Sequence, residues 1–190
     1  ENDKERTKLK LTYINFFSQP KIIDRNTKLL KYSPFFDFLF LLKDRFEIQV
    51  IDHIGISETF LKDSIRFHYF KKKNNKLSIP FKAFFQLRRS QPDVVYVQGL
   101  SYPHFIILMR LFLKPSTRIL VHDHANSIPV RWKTMIFKLA DSFIDNYFFT
   151  SKSLANSWIK MGIISSEEKI IECVEGSTQF TFDDSIKKDE

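Results

Sequence analysis

Glycine is scarce here, with 4 residues in a chain of 190. That scarcity excludes the glycine-built phosphate cradles. Neither G-x-G-x-x-G nor G-x-x-x-x-G-K-[ST] occurs, so a dinucleotide fingerprint and a P-loop are both absent from the sequence. It also leaves few turns that can use positive φ. There is no G-x-S-x-G nucleophile elbow, and no two aspartates stand as the metal-nucleotide pair D-x-D. A single cysteine, Cys173, excludes an internal disulfide and a multi-cysteine zinc site, and fits a reducing compartment. Long apolar runs are missing too. Phe35–Leu42 and His104–Leu113 fall far below the roughly 18 residues of a membrane span, and Asp37 and Arg110 interrupt them. The start, Glu1–Lys10, is charged rather than signal-like, and residues 1–8 are expected to be a disordered or tag-like start. The end, residues 183–190, is a polar tail that reads as a cut before a further domain.

What the chain has in excess is phenylalanine, at 21 copies, and positive charge, at a net +8. Hydrophobic residues make up 43% and charged residues 27%, ordinary values for a globular protein. A chain of this length forms one domain and buries roughly 70% of its unfolded surface. Its core should be aromatic. The charge points to an anionic partner such as phosphates, nucleic acid or a lipid surface; the plainer alternative is a solvated basic face.

Periodicity divides the chain into alternating elements. Leu9–Phe17 reads as a first strand, with Leu11, Tyr13, Asn15 and Phe17 on one face. Lys21–Tyr32 is ambiguous between loop and early helix. Ser33-Pro34 resembles an N-cap followed by proline, opening a helix through Phe36, Leu39, Phe40 and Phe46. Glu47–His53 is a second strand and Ile65–Phe70 a third, placed near an edge because Arg66 and His68 share a face. A helix over Ser78–Arg89 stops at Gln91-Pro92, since a residue before proline avoids the helical region. Val94–Val97 is the cleanest strand and should be central. Helix Pro103–Leu113, a strand opening at Arg118 and ending in the histidines His122 and His124, helix Pro129–Phe143, strand Asn146–Thr150, helix Lys152–Met161 and strand Lys169–Val174 complete the order. Such alternation predicts an α/β fold: a Rossmann-like doubly wound parallel sheet in a single three-layer domain over residues 9–182.

The stretch Arg118–Asn126 organises the candidate site. Its apolar half fills the sheet, and its polar half carries His122 and His124, which share a strand face opposite Asp123. Ligands of open parallel sheets bind outside the carboxyl ends of the strands. Ser18, Gln98, Gly99, Tyr102, His104, Asn126, Glu175, Gly176 and Ser177 should converge there with the histidines. His122 and His124 could also hold a catalytic metal, although no third ligand stands at short spacing. His53 and His68 read as satisfied structural or surface histidines, and Trp132 and Trp158 as packing. Glu167 and Glu175 have glutamate-x₇-glutamate spacing, but an intervening strand would hold them roughly 25 Å apart.

Taken in order, several blocks resemble the amino-terminal, acceptor-side half of a GT-B glycosyltransferase, closest to glycosyltransferase family 4. They are Leu11–Phe17, Pro92–Gly99, Ile119–Ala125, Phe149–Ser153 and Lys169–Ser177. The resemblance implies one half of a two-domain fold whose second domain, absent from this chain, binds most of the nucleotide-sugar donor. It implies sugar transfer to a glycan or lipid-linked acceptor, with retention and without a metal or other cofactor; the nucleotide-sugar is a co-substrate. His124 best matches the histidine that points at the donor sugar, with His122 as the competing register. Gln98, Gly99 and Tyr102 match the loop lining the acceptor side. The first loop, Phe17-Ser18-Gln19-Pro20-Lys21, lacks the paired glycines usual there.

The chain alone is therefore expected to fold but not to turn over. The resemblance further implies a cytoplasmic enzyme of cell-surface polysaccharide biosynthesis, with no nucleic-acid partner. The basic, aromatic surface (Lys71–Lys73, Arg88, Arg89, Lys114, Arg118) could rest on the anionic inner face of the cell membrane. Two rivals stand beside this reading. One is a non-enzymatic flavodoxin-like binding module, and the other a metal-dependent hydrolase using His122 and His124.

Overall fold

The computed structural model describes residues 8–71, 78–123 and 133–173. They form one eight-stranded sheet. Strand β1 (Leu9–Gln19) is followed by helices α1 (Arg25–Lys31) and α2 (Ser33–Leu42), then β2 (Phe46–Ile54), β3 (Glu58–Lys62) and β4 (Ile65–Lys71). Next come α3 (Phe81–Ser90), β5 (Val94–Gln98), α4 (Pro103–Arg110), β6 (Arg118–His122), α5 (Thr134–Asp141), β7 (Asn146–Phe149), α6 (Lys152–Lys160) and β8 (Ile170–Glu172). The order across the sheet is β3-β4-β2-β1-β5-β6-β7-β8. Every pairing is parallel except β3 with β4.

Alternation along the strands builds two cores, one on each face. On β1, Ile14 and Phe16 enter a core shared with α3, α4, α5 and α6 through Phe84, Leu87, Phe105, Met109, Phe137 and Trp158. Leu11 and Tyr13 enter the other, with Phe36 and Leu39 of α2 and Phe67 and Tyr69 of β4. Residues 11–16 of β1 are all buried, as a central strand covered on both faces requires. The winding sets the site. The chain steps from β1 outward to β2 and β4, then returns to the other side of β1 as β5. In open parallel sheets the ligand crevice lies at such a reversal, here at the carboxyl ends of β1 and β5.

Local signals hold the elements in place. Asp24 caps α1, its Oδ1 accepting from the Thr27 N–H at 2.8 Å. Ser151 caps α6 through the Ser153 N–H at 3.2 Å, and Gly162, at φ 62°, follows its end. Of the two readings left open for His53 and His68, structural or surface, the structure shows the first, since both are buried and hydrogen-bonded; Trp158 packs on Phe137, as read.

Several boundaries differ from the sequence reading. The ambiguous Lys21–Tyr32 stretch holds α1, and Phe46 opens β2 rather than closing the preceding helix. Helix α3 starts at Phe81, after Pro80, and α4 stops at Arg110, short of Leu113. β4 lies near an edge as read, one strand in, but the edge itself is β3, a strand the sequence reading did not contain. Of the helix expected over 129–143, residues 129–132 lie outside the described residues, as do the tails 1–7 and 174–190.

Candidate functional site

The carboxyl end of β1 is irregular, and the irregularity shapes the crevice. Register against β2 shifts between Ile14 and Ser18. Within the shift, the Asn15 side chain accepts from the Phe17 N–H at 2.9 Å, and the Asn15 carbonyl lies 2.8 Å from His53 Nδ1. Phe17 is left partly exposed, and its ring meets Tyr102 edge-on at 5.4 Å. The Ser18 Oγ next to it is buried without a hydrogen-bond partner among the described residues. A buried unsatisfied hydroxyl is unfavourable in a finished core, and a ligand group can complete it.

The ends of β5 and β6 form the facing wall. Gln98 lies in register with Asn15 on one side and His122 on the other. Gly99 then turns the chain at φ 79°, and its N–H donates to the His122 carbonyl at 2.7 Å. A β-carbon on Gly99 would stand 3.0 Å from the Phe17 ring, so glycine is needed for both the turn and the approach. The Leu100 N–H reaches Asp123 Oδ1 at 3.4 Å. Tyr102 stacks on Phe105 at 5.2 Å, with His104 6.1 Å away in the first turn of α4. His122 is buried on the sheet face, its ring 6.0 Å from Tyr96. The structure thus brings Phe17, Ser18, Gln98, Gly99, Tyr102, His104 and His122 to one end of the sheet. His124, Asn126, Glu175, Gly176 and Ser177 lie outside the described residues.

No family model and no curated protein matches the sequence. Among solved structures, the chain is similar to Anabaena HepE, crystallised in complex with UDP and glucose, with a TM-score of 0.50 and 12% identity. The alignment covers 87% of this chain and 44% of HepE, so the chain spans less than half of that protein's length. The fold is Rossmann-like and matches one half of a GT-B architecture. At this identity the likeness is one of fold alone.

The loop after β1 is anchored by a buried charge pair that sequence reasoning missed. Lys28 of α1 and Asp52 of β2 meet at 2.6 Å, each side chain 1% exposed. Lys28 Nζ also donates to Gln19 Oε1 at 2.7 Å and sits 3.9 Å from the centre of the Tyr32 ring. Burial pushes the Lys28 pKa down, and the Asp52 carboxylate opposes it. Burial, with Asp52 adding to it, holds the Tyr13 phenol well above its ordinary range and therefore neutral. The same loop rests on Gly55, whose N–H donates to the Ile22 carbonyl at 2.7 Å. A β-carbon there would lie 2.6 Å from the Pro20 carbonyl oxygen.

A cavity of about 560 Å³ opens at the opposite, amino-terminal end of the strands, lined by Lys10, Gln49, Arg66, His68, Gln86 and Arg89 among others. A buried polar chain forms its floor. Gln49 Nε2 donates to Thr12 Oγ1 at 2.6 Å and to Ser90 Oγ at 2.5 Å. Gln86 Nε2 lies 3.2 Å from Gln49 Oε1 and 3.1 Å from His68 Nε2, and His68 Nδ1 lies 3.1 Å from Thr59 Oγ1. An amide nitrogen can only donate, so His68 Nε2 accepts and Nδ1 carries the proton. Burial, followed by Arg66 and Arg89, pushes the His68 pKa down, in keeping with a neutral ring. We place the candidate site at the crevice rather than here, because the winding reverses at the other end. Among the described residues no three His, Cys, Asp or Glu side chains converge as a metal site.

Proposed function

We propose that this chain is the acceptor-side domain of a glycosyltransferase that moves a sugar from a nucleotide-sugar donor to a glycan or lipid-linked acceptor. The observation that carries the reading is the interlock of Phe17, Gly99, Tyr102 and His122 at the point where the winding reverses. Similarity of fold to HepE, a protein solved with UDP and glucose, supports a sugar nucleotide as co-substrate.

In this reading Ser18, Gln98, Gly99, Tyr102, His104 and Asn126 line the acceptor side. His124 acts on the donor sugar, with His122 as its alternate. An imidazole so placed orients the sugar and stabilises developing charge by hydrogen bonding rather than attacking. Glu175, Gly176 and Ser177 contribute where the chain passes toward a second domain, which holds most of the donor nucleotide. Transfer proceeds with retention and without a metal, as in family 4. The product belongs to a cell-surface polysaccharide assembled on the cytoplasmic side of the membrane.

The test is nucleotide release by the native gene product from a panel of UDP- and GDP-sugars, with and without candidate acceptors. Release should depend on the acceptor, and His124→Ala should slow it by at least about 100-fold, the usual effect of removing a charge-stabilising donor. The 190-residue chain alone should not turn over. Turnover by that chain alone would refute the division of labour. Turnover indifferent to His124→Ala would refute the assigned role, and abolition by a chelator would favour the metal-dependent hydrolase.

A further inference from the structure

We propose that the cavity of about 560 Å³ at the amino-terminal end of the sheet binds a phosphate monoester, at a second site distinct from the strand-end crevice. The chain order leaves this place open. β2 passes to β4 through the hairpin strand β3, so the connection contributes no helix. On the opposite face β2 and β4 are covered, and Ile48, Val50, Phe67 and Tyr69 pack with Phe36 and Leu39 of α2. On the cavity face the two strands carry Gln49, Arg66 and His68 instead, beside Thr59 of β3 and with α3 as the far wall. A sheet face in water is polar for the same reason. It does not enclose a cavity the size of a small-molecule site, nor hold unpaired guanidinium groups on facing walls.

Charge in the cavity is unbalanced. Lys10 and Glu47 stand side by side in the β1–β2 register and offset one another. Arg66 and Arg89 have no such counterpart. Both line the cavity and are exposed, and neither pairs with a carboxylate among the described residues. Their places follow from the contact of Gln86 Nε2 with His68 Nε2 at 3.1 Å, which sets α3 against β4. Arg66 is two residues before His68 on the same strand face, and Arg89 is three residues after Gln86 on the same helix face. Two guanidinium charges match a phosphate monoester, which carries about −2 at pH 7. Each planar fork can hold two oxygens of the tetrahedral group. A single carboxylate carries about −1 and would leave one guanidinium unmatched.

The floor is ordered in advance of any ligand. Thr12, Gln49 and His68 are buried, and each is fixed by its neighbour in the chain of hydrogen bonds. The direction of that chain decides what it offers. Gln86 uses its nitrogen on Gln49 and His68, so Oε1 is left to accept from a hydroxyl of the ligand's organic part. His68 Nδ1 donates to Thr59 Oγ1, so the Thr59 proton is left for a phosphate oxygen. The neutral His68 ring adds no charge of its own. Arg89, grouped in the sequence with a basic surface, lines the cavity, and its neighbour Arg88 does not. The inference does not rest on sugar transfer, whose reacting groups stand at the other end of the strands.

The experiment is isothermal titration of the native gene product with glucose 6-phosphate and with UMP, the two arms standing for a sugar phosphate and a nucleotide. Saturable binding of either supports the proposal and names the source. Sulfate should bind at least about tenfold more weakly, because it fills little of the cavity and brings no hydroxyl to Gln86. Arg66→Gln and Arg89→Gln should each weaken binding at least about tenfold, the loss of a charge-assisted hydrogen bond. Arg88→Gln, one position along α3 and outside the cavity, should bind as the parent does, and so should His124→Ala. Thermal unfolding gives a second readout. Whichever compound binds should raise the melting temperature of the parent but not that of the Arg66→Gln/Arg89→Gln double variant. No saturable binding of either compound up to about 1 mM would overturn the proposal. So would sulfate bound as tightly, equal weakening by Arg88→Gln, or binding that survives the loss of both arginines.

Discussion

The Gly99 N–H donates to the His122 carbonyl at 2.7 Å, tying the turn after β5 to the last residue of β6 at the mouth of the crevice. Only glycine holds φ 79° there without strain, and the Phe17 ring occupies the place of a side chain. Gly99→Ala should therefore lower stability by about 1–3 kcal/mol and displace Phe17 and Tyr102. Urea unfolding checks the first effect, and altered aromatic-proton shifts of those two rings the second. A neutral substitution would show that the turn is not held as described.

The Lys28–Asp52 pair is buried on both sides. Removing one partner strands the other charge, so Lys28→Met or Asp52→Leu alone should destabilise by about 3–5 kcal/mol. Replacing both should recover much of that loss, because two desolvated charges are exchanged for apolar packing. A double-mutant cycle by chemical denaturation measures the coupling. If the single losses simply add, the pair does not act as the anchor of the β1–α1 loop.

His68 gives the fold a pH dependence of known sign. Its folded pKa lies below the ordinary value, so between the two values the unfolded chain binds more protons and stability rises with pH. The contribution is fully present above about pH 6.5, the ordinary histidine value, and is lost as pH falls toward the folded pKa. His68→Gln should flatten the stability profile between about pH 7 and 5 relative to the parent chain. An unchanged profile would mean that the ring is not held neutral by its neighbours.

The layer architecture was legible because its signals are local. Val94–Val97, Ile119–Val121 and the Ser151 cap each announce themselves within a few residues, and β5 is central, as its apolar run required. β3 was hidden for a physical reason. Its hairpin to β4 turns through Asp63 and Ser64, both at positive φ (49° and 68°), where Asn-Gly or Asp-Gly is the usual signal. A chain with 4 glycines spends other residues on left-handed positions, and Gln91 at φ 48° is another. α1 did carry a usable signal, since Asp24 three residues before Thr27 is a cap. The Lys28–Asp52 pair and the Thr12–Gln49–Gln86–His68 chain join distant segments, and no local pattern encodes such contacts. At the site, the ends of β1 and β5 follow from the alternation alone, whereas the bulge at Asn15 that exposes Phe17 does not.

The hairpin supplies its own test. Ser64→Gly should raise stability by about 0.5–1 kcal/mol, the relief of a left-handed side chain less the added freedom of the unfolded chain. Thermal unfolding checks the direction. A loss would show that the turn is not the left-handed pair described.

The central claim is that chemistry belongs to the crevice between β1 and β5. A crystal structure of the native gene product with a nucleotide-sugar tests it most directly. The account predicts the sugar over the strand ends between Ser18 and Gly99, with the His124 imidazole within about 3 Å of one of its oxygens. Density for the sugar in the cavity beside Arg66 and Arg89, at the opposite end of the sheet, would contradict it.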